Sequence, residues 1–344
     1  MRREANVQDE IHTRGVRPSL ARSSDLGKKW SPSTLFGPPL KNPVTGFQAV
    51  HFVGVSAKGT VIVSGFYNSS GIQTSGEGIN WRPNEALIGR RETGAADISW
   101  TRYPSGTFLG EQFVEHGVFT RSGRIVLEIW GSAKKSENWQ CGVLLTDDDG
   151  KTWRYRQVGY AADLALRDKA EEPVGYNEQT LFETQDGQLV SIIRGRQKLA
   201  RLIDRKPSET YFSRAVSKDG GETWSQPELT NLAGTGATGT GLTLPDGSLL
   251  MAARIPHHVK TTWVKPEHAN LYGLHLARSF DLGKTWTTER IFQRTPDGIT
   301  FDNYYNAMNG QFIKLNRNRW MYAFGHFDVK RKIHRMLSFE LAWK

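Results

Sequence analysis

The stretch YNEQTLFETQDGQLVSIIRGR, residues 176 to 196, sets a carboxylate and a guanidinium at the far ends of two apolar runs joined by Asp186-Gly187. An Asp-Gly turn between β-rich runs predicts a hairpin, and a hairpin returns Arg194 to the end at which Glu178 begins. An acid and an arginine held together could receive an anion and move a proton beside it, or form a plain surface ion pair. Arg254 stands seven residues after Gly247, as Arg194 does after Gly187, so it should emerge at the same end. The segment HVKTTWVKPEH (258 to 268) adds His258, Lys260, Trp263, Lys265 and His268, cations and an indole that could cover an anionic ligand or simply form a solvated connection. Its histidines match no metal-ligand spacing and no carboxylates cluster with them, so the expectation is no metal and no cofactor.

Elements that would carry these groups are visible as repeats. The octets SSDLGKKW (23 to 30), TDDDGKTW (146 to 153), SKDGGETW (217 to 224) and SFDLGKTW (279 to 286) share Ser/Thr, Asp, Gly and Trp at fixed places, and TSGEGINW (74 to 81) is a weaker copy. Asp accepts backbone N–H bonds, Gly tolerates positive φ, and Trp buries a ring, which together make a stabilised turn. Ahead of most octets lie paired apolar runs: LTLPDGSLLMAAR (242 to 254), VFTRSGRIVLEIW (118 to 130), VGVSAKGTVIVSGF (53 to 66) and, without the glycine, QFIKLNRNRWMYAF (311 to 324). Two strands, a connection, a third strand, the octet and a fourth strand make a propeller blade. The reading is a single all-β domain over 1–344, a six-bladed β-propeller with an incomplete first blade, its blades near 1–30, 47–90, 111–160, 178–230, 238–292 and 304–344. A turn that recurs once per blade is scaffolding and not a repeated active site.

The bulk composition is permissive. Lys and Arg number 45 against 35 Asp and Glu, a net charge of +10 that suits an acidic ligand, but no basic run or aromatic ladder points to nucleic acid. The one cysteine, Cys141, excludes an intramolecular disulfide framework and reads as a small buried side chain. No apolar run is long enough to span a bilayer, and the opening MRREANVQDEIHTRG lacks the hydrophobic stretch of a signal peptide, so a soluble chain is expected. Compartment and oligomeric state are not legible.

The octets are similar to the Asp-box, or BNR, motif, and most of the chain resembles the sialidase (neuraminidase) superfamily of six-bladed propellers. That resemblance implies a Tyr nucleophile paired with a Glu, an Asp acid/base and three arginines on the substrate carboxylate. A phenol approaches an anomeric centre that bears a carboxylate with less repulsion than an acid would. Residue by residue, it places Glu178 and Arg194 in blade four, and Tyr305 in DNYYNAMNGQFIKL (302 to 315), with Tyr304 as the fallback. Asp9 takes the acid/base position, with Arg2 or Arg3 as an accessory cation. His268 stands where the third arginine belongs, and the Arg-Ile-Pro element with the first arginine is placed ahead of residue 1; the ARIP at 253 to 256 ends a strand of another blade. The implied activity is retaining exo-hydrolysis of terminal sialic acid or a related acidic sugar, so the implied partner is a sialylated or other acidic glycan. Two alternatives stand beside it: a non-catalytic or truncated carbohydrate-binding propeller, and a glycosidase or lyase acting on another polysaccharide.

Overall fold

The computed structural model describes residues 19–20, 25, 29, 31, 34–35, 46–68, 84–95, 97–104, 106–110, 112–132, 139–160, 175–195, 211–233, 241–255, 273–294, 298, 310–316, 318–328 and 333–342. These residues hold strands and turns and no helix, so none has a helix long and apolar enough to cross a membrane. Five antiparallel meanders follow one another. They are β3 (Gly46–Val55), β4 (Val61–Asn68), β5 (Asn84–Arg91) and β6 (Ser99–Tyr103); β7 (Gly117–Phe119), β8 (Ile125–Ser132), β9 (Trp139–Thr146) and β10 (Arg154–Tyr160); β11 (Tyr176–Glu183), β12 (Leu189–Gly195), β13 (Tyr211–Ser217) and β14 (Glu228–Ala233); β15 (Leu242–Thr243), β16 (Leu249–Ile255), β17 (Gly273–Ser279) and β18 (Thr287–Phe292); and β19 (Gln311–Asn316), β20 (Arg319–Asp328) and β21 (Ile333–Ala342). The first strands β3, β7, β11 and β15 touch in succession, which is the radial order of a propeller.

The expectation of six blades is corrected to five among the described residues. The first octet joins only β1 (Ser19–Leu20) and β2 (Thr34–Leu35), a separate two-stranded sheet. An octet needs no more than the two strands it connects, so its presence does not establish a blade. The weaker copy at 74–81 lies outside the described residues and ahead of β5, whereas the turn from third to fourth strand in that blade is 92–98.

The hairpins between first and second strands repeat one geometry. Ser56, Thr120, Thr184 and Leu244 each accept, at the carbonyl, the N–H of Gly59, Gly123, Gly187 and Gly247, and each donates its own N–H four residues on. The glycine φ values, 82°, 89°, 86° and 85°, lie in the left-handed region that a type I turn with a glycine bulge requires.

The octets close the same way three times. The hydroxyl at position one (Thr146, Ser217, Ser279) accepts the N–H of Gly150, Gly221 and Gly283 at 3.0, 2.8 and 2.9 Å. The Asp at position three (Asp148, Asp219, Asp281) takes the backbone N–H of the Thr at position seven at 2.9, 2.9 and 2.8 Å. Asp25 in the first octet accepts from Lys29 N in the same relation at 2.8 Å. A further regularity is absent from any single repeat: position four is left-handed in all three, with φ of 64° at Asp149, 70° at Gly220 and 59° at Leu282. Its carbonyl accepts a guanidinium N–H from the preceding blade: Arg90 to Asp149, Arg124 to Gly220 and Arg214 to Leu282, at 2.7, 2.9 and 2.8 Å. The octets are inter-blade clasps, and the register Leu189↔Ser217 puts them at the end of the sheet opposite Arg194.

A hydroxyl bond from Thr223, reinforced by that residue's backbone N–H, holds the Asp219 carboxyl at about 2, below its usual 3.8. The unfolded chain therefore binds the proton first on acidification, so this contribution to stability is complete above about pH 4 and is lost as pH falls through about 2. Asp219→Asn should melt lower than wild type at pH 6, and the two melting curves should converge near pH 2.

The core lies between blades. One cluster joins Phe182, Val190, Ile192 and Phe212 to Leu249, Met251, Ala253 and Trp286; another joins Val126, Trp130, Trp139 and Cys141 to Tyr176, Leu181, Leu189 and Ile193. Cys141 is fully buried as expected, which pushes its thiol pKa up.

Candidate functional site

Two bulges build the site. On β11 and β12 the pairing runs from Tyr176↔Gly195 to Gln179↔Ile193, so Asn177 and Glu178 together face Arg194. In the preceding blade it runs from the bridge Phe113↔Trp130 to the bond between Glu128 N and His116 O, so Val114 and Glu115 together face Ile129. A bulge re-aims the side chains it displaces and leaves the rest of the ladder intact. Both lie at the entry of a first strand, on neighbouring blades whose β7 and β11 touch, and they bring Glu115 and Glu178 into one electrostatic neighbourhood.

Glu178 and Arg194 lie together at this end, in a part-buried ion pair between Glu178 Oε2 and Arg194 Nη1. Arg254 pairs with Leu274 on β17 in a register where Leu249 pairs with Ser279, matching Arg194 with Phe212 and Leu189 with Ser217. Its backbone thus occupies the place of Arg194 one blade on. The same place, seven residues after the turn glycine, holds Phe66 after Gly59 and Trp130 after Gly123. One side of this end is therefore aromatic: Phe113 stacks on Trp130 at 4.2 Å between centroids, Phe66 meets Phe113 edge-on at 5.2 Å, and Trp139 lies 4.9 Å from Trp130. Asp9, Arg3, Trp263, His268 and Tyr305, and with them Arg2 and Tyr304, lie outside the described residues.

The structure adds three groups that sequence reasoning passed over. Glu115, His116 and Glu128 bring one ligand atom each to within 4.8 Å of one another. Glu128 is fully buried on β8; its Oε2 accepts the N–H of Gln179, on the next blade, at 2.7 Å, while Oε1 has no hydrogen-bond partner. Glu115 Oε2 is likewise buried without a hydrogen bond, and its main-chain carbonyl accepts from Ser64 Oγ of the preceding blade at 3.1 Å. Burial, then the negative charge of Glu178, pushes the Glu115 carboxyl up to about 8 against the pull of Arg194. Burial and the charge of Glu115 push Glu128 well above the carboxylate range. A signal for Glu128 was present: an acid in the middle of the apolar run IVLEIWGS, residues 125 to 132, has no cheap place in a buried strand.

Gln179 ties the two bulges together. Its side chain donates to Gly142 O at 2.8 Å and accepts from Ser191 Oγ at 2.8 Å, so the backbone N–H that Glu128 receives is held rigidly, one residue from Glu178. A proton-handling acid, a guanidinium and an aromatic wall at one end of a propeller can grip a sugar ring and polarise a bond on it.

Comparison with curated protein sequences gives no match. Among solved structures, a protein of unknown function from Dyadobacter fermentans DSM 18053 superposes with a TM-score of 0.65 at 19% identity, covering 95% of this chain and 84% of that one. The Hadza microbial sialidase Hz136 gives 0.59 at 15% identity, over 91% of this chain and 57% of that one. An α-L-arabinofuranosidase from Fusarium graminearum gives 0.57 at 10% identity, over 94% and 84%. The chain thus spans less than two thirds of that sialidase's length, and at these identities the likeness concerns the fold alone. Residues 33–313 match the BNR repeat-like domain, and the chain belongs to that family.

Proposed function

We propose that this chain is a glycoside hydrolase whose reactive centre lies at the Glu178–Arg194 end of the propeller and that it removes a terminal sialic acid, or a related acidic sugar, with retention. The observation that carries this reading is the bulge-presented Glu178–Arg194 pair, with Arg254 at the same register position one blade on. In this reading Arg194 grips the substrate carboxylate with His268 or Arg254 assisting, Arg3 and Trp263 complete the sugar site, and Asp9 protonates the leaving oxygen. Tyr305 attacks the anomeric carbon as Glu178 takes its proton, and water then releases the sugar from the tyrosine. Sialidase activity in a propeller neighbour agrees with the proposal.

Release of free sugar from a chromogenic α-sialoside tests it, with Tyr305→Phe as the inactive control. Arg194→Lys keeps the charge but loses the planar fork, so kcat/KM for the carboxylated sugar should fall by about 10- to 100-fold. A sialoside that binds and is never cleaved would instead identify a carbohydrate-binding propeller.

A second reading, hydrolysis of a neutral sugar, is favoured by the acid-rich surroundings. Among the described residues Glu115 and Glu178 share the surroundings of Arg194 and Glu128 adjoins both acids, so carboxyls outnumber guanidinium groups there. An arabinofuranosidase shares the fold. Cleavage of a neutral furanoside with no action on sialosides would establish it.

A further inference from the structure

We propose that Glu115, His116 and Glu128 form a binding site for one divalent transition-metal cation of the Zn²⁺ class, set beside the Glu178–Arg194 pair. The first ground is the donor set: two carboxylates and an imidazole whose ligand atoms converge to within 4.8 Å, at the boundary of bulge and β8. Mixed nitrogen and oxygen donors suit Zn²⁺, and less closely Mn²⁺, whereas Ca²⁺ and Mg²⁺ favour all-oxygen cages.

An independent ground is the state of the oxygens. Glu128 is fully buried, and its Oε1 makes no hydrogen bond. Glu115 is part-buried, but its Oε2 is buried and likewise makes no hydrogen bond. A buried carboxylate oxygen left without a donor costs several kcal/mol by order of magnitude unless a proton or a cation meets it, and a cation that displaces the proton also satisfies its neighbour. Arg194 hydrogen-bonds to Glu178 and gives neither of these two oxygens a donor.

The surroundings have the form of a second coordination shell. The other oxygen of Glu128 is fixed at 2.7 Å by the Gln179 N–H, and Gln179 is itself locked by Gly142 and Ser191. Ser64 holds the Glu115 main chain from the other side. Bonds of this kind orient ligands before the ion arrives. Because Gln179 follows Glu178 directly, the cation would also stiffen the bulge that presents Glu178. The site does not depend on the proposed substrate, and its occupancy is measurable without any.

The experiment uses the full chain, stripped with a chelator and titrated calorimetrically with Zn²⁺, with Mn²⁺ and Ca²⁺ as separate arms, and bound metal counted by elemental analysis. One equivalent of Zn²⁺ per chain is expected, with Ca²⁺ binding at least tenfold more weakly. Glu128→Gln and His116→Gln should each weaken Zn²⁺ by about 10- to 100-fold or more, since removing only a hydrogen-bond partner of a ligand already costs that much. Thermal melting should rise with Zn²⁺ in the wild type and not in the variants. Wild-type protein that binds no stoichiometric Zn²⁺ overturns the proposal even if both variants fail to fold, and so does equal binding by a folded variant. Metal binding in a protein that cleaves no glycoside would leave the site standing and remove the hydrolase reading.

Discussion

Glu178→Gln should lower glycoside cleavage by about 10²- to 10⁴-fold, the range that a positioned proton-transfer side chain supplies. The amide fills the same space in the bulge, but it cannot take a proton from a phenol or from water, and it no longer offers Arg194 a charge. Folding should survive, because Glu178 is part-exposed at a strand entry and the ladder resumes at Gln179↔Ile193 without it. Steady-state kcat on the best chromogenic glycoside, beside the far-ultraviolet circular dichroism of both proteins, checks this. Activity retained within about threefold would remove Glu178 from the chemistry and with it the hydrolase reading.

Trp286→Ala carries the largest expected loss of stability, about 3–5 kcal/mol, the cost of emptying a buried indole site that can relax only in part. The ring is 1% exposed and packs in the cluster shared by the β11–β14 and β15–β18 blades, 6.2 Å between centroids from Phe182. Its Nε1 donates to Gly283 O at 2.8 Å, and Asn231 on β14 grips its main chain through both N–H and carbonyl, at 2.8 and 3.1 Å. Removal of the indole opens the seam between two blades, so the loss is felt in both. Urea unfolding measures it, with Lys284→Ala, an exposed octet neighbour, as a control expected to stay within about 0.5 kcal/mol. A Trp286→Ala loss below about 1 kcal/mol would contradict the clasp role of the octet.

The hairpin that pairs Glu178 with Arg194 was legible because Asp-Gly turns and apolar alternation are local signals. The scaffolding role of the octets was legible for the same reason, since every bond inside them spans four residues or fewer. What escaped was non-local. Glu115 enters the site because one extra residue in an inner strand turns its side chain, and a bulge has no strong sequence mark. The arginine clasps escaped because Arg90, Arg124 and Arg214 lie in a different blade from the turn each one holds. The blade count, five among the described residues and not six, erred because one octet was taken to mark an incomplete first blade.

The amino-acid order by itself determined the turns, the strand pairs and the end of the sheet at which Glu178 and Arg194 appear, since these follow from φ preferences and hydrogen bonds within a few residues. Which carboxyls share their surroundings was decided only in three dimensions. Residues 115 and 178 interact because radial packing lays β7 beside β11, and the packing energy that does so is spread over apolar side chains with no partner preference written in their immediate neighbours.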